Sequence, residues 1–280
     1  MAIPIINNWQ NYYPVAHEGL GSSYERIVLN LLLMRLHERY GFSKALETPA
    51  FGFTGLSGIN LVALAQAGCA VSLEDSDEER LGLIRGTWQE LGLPLCSRLN
   101  PDFTQLDYPD GNFDFAFNFS AIWFVKDLSL YISELCRVTD GAILICVPNQ
   151  DGIGFKGQLK GYSAEQYPQL TPSYIDPASI IHLMRCQGRQ LVEWDYIDCP
   201  PWPDIGMTKE DFARGLIGQG SSQKTKPELK PEDALSIMPY YKGEDPDFAQ
   251  RMLKLYPFEK LAPRYFKRYW AHHMYYLFVQ

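Results

Sequence analysis

Carboxylates and glycines at the ends of short apolar runs set the chemistry this sequence offers. Lys44–Thr48 is such a run, ending in Glu47, and Gly52, Gly55 and Gly58 follow at three-residue spacing. A backbone without Cβ lies close to a ligand at such positions. Asn60 closes the loop, and Leu61, Leu64 and Ala65 keep helical spacing until Gly68, which is well placed as a helix stop. Ala70–Leu73 is a second apolar run, with Glu74 and Asp75 at its carboxyl end. Strand, glycine loop, helix, strand and acid make up half of a βαβ unit. In an open parallel sheet, ligands bind in the crevice outside the strand ends. An acid there accepts hydrogen bonds from both hydroxyls of a ribose, so the segment is built to hold a nucleoside.

Other residues offer proton transfer. His17 and Glu18 stand in His17-Glu-Gly-Leu-Gly21, just before the amino end of a helix whose free amides favour an anion. They read as a base or an acceptor contact, and otherwise as solvated loop residues. His272 and His273 are further candidate bases, although strand alternation turns one inward and the other outward. Tyr24, Trp123 and Trp202 are candidate acceptor contacts. No group of side chains has metal-ligand spacing, so the sequence points to no metal. The six cysteines are scattered singly and read as reduced structural residues.

The elements that must position these residues follow from pattern. A helix is expected over Ser22–Tyr40, its start marked by the capping-box spacing of Ser22 and Glu25. After Asp75 come a helix over Glu78–Leu93, a strand at Cys96–Asn100 and the pair Asp102-Phe103. Next are a Pro109-Asp-Gly turn, a strand at Phe113–Phe119, a helix over Asp127–Val138 and a strand at Gly141–Val147. Asp176-Pro177 caps a further helix, and strands are expected at Gln190–Ile197 and Tyr269–Val279. The alternation specifies an α/β Rossmann-like fold: a seven-stranded, mostly parallel sheet with helices on both faces. Residues 1–42 form an amino-terminal cap and helix, 43–197 with 269–280 the sheet domain, and 198–268 an inserted cap or lid between the last two strands.

Composition limits the partners. At 280 residues, 46% hydrophobic and 14% aromatic, the chain has enough apolar residues for a large core. A net charge of −8 argues against nonspecific nucleic-acid binding. No apolar stretch is long enough to cross a membrane and no secretory signal is visible, so a cytoplasmic protein is expected, with a homodimer possible.

With these residues in place, the chain resembles the class I S-adenosylmethionine-dependent methyltransferases, particularly the small-molecule group. Asp102-Phe-Thr-Gln-Leu-Asp-Tyr-Pro-Asp-Gly-Asn-Phe-Asp114 is similar to the family's third-strand segment, and Glu134-Leu-Cys-Arg-Val138 to its approach to the fifth strand. The resemblance implies S-adenosyl-L-methionine as cofactor and a small-molecule methyl acceptor as partner. It places Glu47 by the methionine end, Asp75 (or Glu74) on the ribose, and Asp102 and Phe103 at the adenine. Asn118 and Phe119 fall beside the sulfonium. The family's glycines stand two, four and six residues after the first acid, where this chain has Pro49, Phe51 and Phe53. The loop is therefore about five residues longer, which points to a reshaped methionine pocket. The competing reading is a nicotinamide-dependent oxidoreductase, which also uses a glycine loop, helix and acid; a third is a nucleoside-binding protein without catalysis.

Overall fold

Apolar runs rich in Val, Ile, Leu and Phe form the central strands, as they do in sheets covered on both faces. The computed structural model describes residues 9–13, 18–52, 55–159, 165, 167–199 and 235–280. Its sheet strands are β1 (Lys44–Glu47), β2 (Ala70–Asp75), β3 (Cys96–Leu99), β4 (Phe113–Phe119), β5 (Thr139–Pro148), β6 (Gln190–Ile197) and β7 (His273–Val279). They lie in the order β3-β2-β1-β4-β5-β7-β6. All neighbouring pairs through β5 are parallel, whereas β7 runs antiparallel to both β5 and β6. The sheet is mostly parallel, as expected, with β7 inserted ahead of β6. That strand is shorter than the sequence suggested, because Tyr269 and Trp270 end a helix instead.

The helices are α1 (Gly19–Tyr40), α2 (Val62–Gln66), α3 (Glu78–Glu90), α4 (Leu128–Val138), α5 (Ile153–Leu159), α6 (Pro177–Cys186), α7 (Met238–Tyr241), α8 (Phe248–Met252), α9 (Tyr256–Leu261) and α10 (Arg264–Trp270). Asp77, Asp127 and Asp176 cap α3, α4 and α6, each accepting a backbone N–H three residues on. Such caps contribute roughly 0.5–2 kcal/mol apiece. Gly41, at φ 68°, ends α1 in the left-handed conformation that glycine adopts without strain. The expected capping box is not used. Helix α1 begins three residues earlier, at Gly19, and Ser22, Ser23 and Glu25 are buried within it. What looked like a cap is the inward face of the helix.

Strand alternation divides the core into two layers. Phe115, Phe117, Phe119, Leu144 and Cys146 face α1, α2, Trp88 of α3, and the apolar residues of α7 and α8. Phe113, Ile143, Ile145 and Val147 face α4, α6 and residues 121–125. Met238, Tyr241, Phe248 and Met252, all from the segment expected to be a lid, are thus core residues under α1. All six cysteines are free thiols.

Candidate active site at the sheet edge

The lengthened loop after β1 lies across the carboxyl ends of three strands. Ala50 N–H donates to the Glu74 carbonyl at the end of β2 (2.9 Å), and Asn118 of β4 donates to the Thr48 carbonyl (2.8 Å). Gly52 rests so closely on β4 that a Cβ there would stand 1.5 Å from the Phe119 carbonyl oxygen. A glycine is obligatory at this contact, although it serves protein packing rather than a ligand. Gly55, at φ 126°, has the Glu18 carboxylate against it, and Gly58 has Ile84. Phe53 lies outside the described residues.

Beneath the loop runs a buried polar chain. Arg26 holds Glu18 through two hydrogen bonds, of 3.1 Å from Nε and 2.5 Å from Nη2, with both side chains fully buried. Arg26 also donates to Asn60 Oδ1 (2.8 Å) and to the Leu56 carbonyl (3.0 Å), and Asn60 Nδ2 donates to Glu47 Oε1 (2.6 Å). Glu18 additionally accepts from Leu56 N–H (3.0 Å). The Glu18 carboxylate is thereby committed to the loop rather than left free as a base. His17 lies outside the described residues.

Glu47 is fully buried, and its Oε2 has no hydrogen-bond partner among the described residues. Loss of water pushes its carboxyl up to about 8, against opposing contributions from Asn60 and Arg26. The folded protein therefore holds a proton on Glu47 that the unfolded chain releases near pH 4.5. Stability on this account is greatest below pH 4.5 and falls as pH rises to about 8. Glu47→Gln should flatten urea-unfolding stability over that window, removing a slope of up to about 1.4 kcal/mol per pH unit. An unchanged slope would show that Glu47 is not the titrating group.

The acid expected at the ribose is already engaged. Arg80 donates from Nε to Asp75 Oδ2 (2.7 Å) and from Nη2 to Asp75 Oδ1, while Asp77 N–H reaches Oδ1 at 2.9 Å. The guanidinium stands 4.6 Å from the Phe51 ring centroid and 5.4 Å from that of Trp9. Phe51 in turn packs on Phe103 and Phe124. Glu74 accepts from Thr48 Oγ1 and Asn100 Nδ2, both at 3.0 Å, and burial pushes its carboxyl up to about 7. Asp102 is partly exposed, and hydrogen bonds from Thr104 hold its carboxyl below the ordinary range. Together, Glu74 and Asp102 line an open groove of about 780 Å³ with Arg98, Asn100, Gln105 and Asp107.

The remaining predicted contacts are interior. Asn118 ties Thr48 to the Tyr131 hydroxyl (3.1 Å), and the Phe119 ring lies 4.7 Å from that of His273. Tyr24 donates to Glu259 (2.6 Å) and Trp123 to the Ser120 carbonyl (2.9 Å). Trp202 lies outside the described residues. Burial pushes His272 down to about 3, and its Nδ1 sits 2.6 Å from Asp198 Oδ2.

Comparison with known proteins gives the fold a family context. A family profile described as a methyltransferase domain matches residues 53–146. That match spans about a third of the chain. It begins in the long loop and runs into β5, and the sheet has the Rossmann-like fold of methyltransferases. A candidate sarcosine dimethylglycine methyltransferase from Galdieria sulphuraria superposes with a TM-score of 0.53 at 13% identity, covering 89% of this chain and 84% of that one. A methyltransferase candidate from Bacillus halodurans C-125 gives 0.52 at 15%, covering 89% and 96%. The cyclase SpnF gives 0.51 at 14%, covering 90% and 80%. At these identities the likeness is one of fold. No curated protein matches the sequence.

The acceptors at the strand ends have the chemistry for a nucleoside with an amino-acid tail: an acid ends each of β1 and β2, and Asp102-Phe103 follows β3. The space does not yet suit it, because Arg80 and Phe51 occupy the ground in front of Asp75. A ribose could reach Asp75 only if Arg80 left it. The sequence reading does not single out Arg80; its place five residues after Asp75, in the first turn of α3 where it can reach back to the acid, is the available signal.

Proposed function

We propose that the protein transfers a methyl group from S-adenosylmethionine to a small-molecule acceptor, after Arg80 has swung away from Asp75. The methyltransferase-domain match, running through Asp75, Asp102, Asn118 and Phe119, is the observation that carries this reading. When bound, the cofactor supplies an electrophilic methyl on a sulfonium, so the protein's task is to bind, align and exclude water. Asp75 would take the ribose hydroxyls, and Asp102 and Phe103 the adenine. Glu47 would take the methionine end, where its unpartnered Oε2 lies buried. The acceptor would sit between the carboxyl edge of the sheet and the segment 198–268. With Glu18 committed to Arg26, His17 is the remaining base candidate of that pair.

The nicotinamide reading loses support from the sheet: doubly wound dinucleotide folds are commonly ordered 3-2-1-4-5-6, without an antiparallel strand between the fifth and sixth. SpnF, a cyclase of similar fold, illustrates that function resides in the site. The deciding experiment incubates the chain with methyl-labelled S-adenosylmethionine and a fractionated metabolite pool. Label is expected in a small-molecule fraction. Label confined to protein or nucleic acid would overturn the acceptor class, and binding without any transfer would leave a nucleoside-binding protein.

A further inference from the structure

Away from the cofactor residues, three elements end on a second polar cluster. Glu25 projects from α1, Asp198 follows the last residue of β6, and His273 opens β7, where it pairs with Ile197 and Pro148. Their exposures are 4%, 1% and 0%, and one ligating atom from each lies within 4.8 Å of the others. Asp198 Oδ1 and His273 Nε2 lack hydrogen-bond partners among the described residues. His273 Nδ1 and Glu25 Oε1 meet as a close ion pair.

The surroundings hold this set in place. His272 Nδ1 lies at Asp198 Oδ2, so Oδ1 is the oxygen left unpartnered. Glu259 accepts from the backbone N–H of Asp198 (3.1 Å) and Cys199 (2.9 Å) and from Tyr24, fixing the turn after β6. Two dry carboxylates and an imidazole with unsatisfied atoms are costly unless a cation joins them.

We propose that Glu25, Asp198 and His273 bind one divalent first-row transition-metal ion. One nitrogen and two carboxylate oxygens suit zinc, manganese or ferrous ion rather than a thiolate-seeking metal. Ligands bound at about 2.0–2.2 Å stand at most ~4.4 Å apart, so side-chain adjustment alone closes this set on an ion. The cluster is separate from the cofactor acids, and Phe119 packs on its histidine.

The whole chain, stripped with chelator, would be dialysed against Zn²⁺, Mn²⁺ or Co²⁺ and its metal content measured, with the visible spectrum recorded for Co²⁺. One ion per chain is expected, with a protein-bound Co²⁺ spectrum and a higher melting temperature. Glu25→Gln and Asp198→Asn, close in shape to the native side chains, should weaken binding at least tenfold. If these variants do not fold, the native stoichiometry and the Co²⁺ spectrum decide. Absence of bound metal in the native chain overturns the site, as does binding that both folded variants leave unchanged. None of these readouts uses S-adenosylmethionine, so they stand or fall apart from the proposed methyl transfer.

Discussion

Arg26→Ala should destabilise the protein by about 3–5 kcal/mol, among the larger losses a single substitution produces. The guanidinium has no exposed surface and holds Glu18, Asn60 and the Leu56 carbonyl together. Removing it leaves the Glu18 charge in the interior with only the Leu56 amide as a donor of the original set. The loss greatly exceeds that of an exposed pair such as Arg251–Asp245, which solvent screens. Arg26→Met with Glu18→Gln removes both charges at similar volume and should recover much of the stability. Urea unfolding of the three proteins checks this. A loss below about 1 kcal/mol for Arg26→Ala would mean that the buried pair does not hold the loop.

Much of the sheet was legible because strand periods and turn residues are local. The strands Phe113–Phe119 and Gln190–Ile197 have the bounds that the sequence pattern predicts, and the aspartate cap of α6 is legible from residue type, whereas Asp127 reads as the first residue of α4 and proves to be its cap. Errors arose where a local signal had a tertiary use. Ser22 and Glu25 have capping-box spacing, yet they face the core, where Glu25 meets His273. Tyr269 and Trp270 suit a strand by propensity, but α10 takes them. The site was legible in its acids and not in its occupancy. The spacing of Asp75 and Arg80 lets the arginine reach the acid, but packing against Phe51 and Trp9, rather than the spacing, turns it onto the carboxylate instead of outward to water. The cluster of Glu25, Asp198 and His273 was invisible for a related reason: its members stand 173 and 75 residues apart in sequence and meet only through the antiparallel insertion of β7.

Arg80→Ala should bind S-adenosylmethionine at least tenfold more tightly than the native chain, while losing about 3–5 kcal/mol of stability without ligand. Both effects have one origin. In the native protein a nucleoside must displace a bidentate guanidinium held between Phe51 and Trp9 before Asp75 can accept its ribose hydroxyls. Any affinity is reduced by the scarcity of that open arrangement. Alanine at position 80 leaves Asp75 unpaired, which destabilises the empty protein, and a ribose diol restores hydrogen bonds to the carboxylate. Asp75→Ala added to Arg80→Ala should abolish the gain. Calorimetric titration of S-adenosylmethionine into the native chain, Arg80→Ala, and Arg80→Ala with Asp75→Ala therefore tests the central claim most directly. Tightest binding is expected for the single variant, with the double variant no better than native. Binding to Arg80→Ala no tighter than to the native chain, or gained equally by the double variant, would show that Asp75 is not a ribose acid held shut by Arg80.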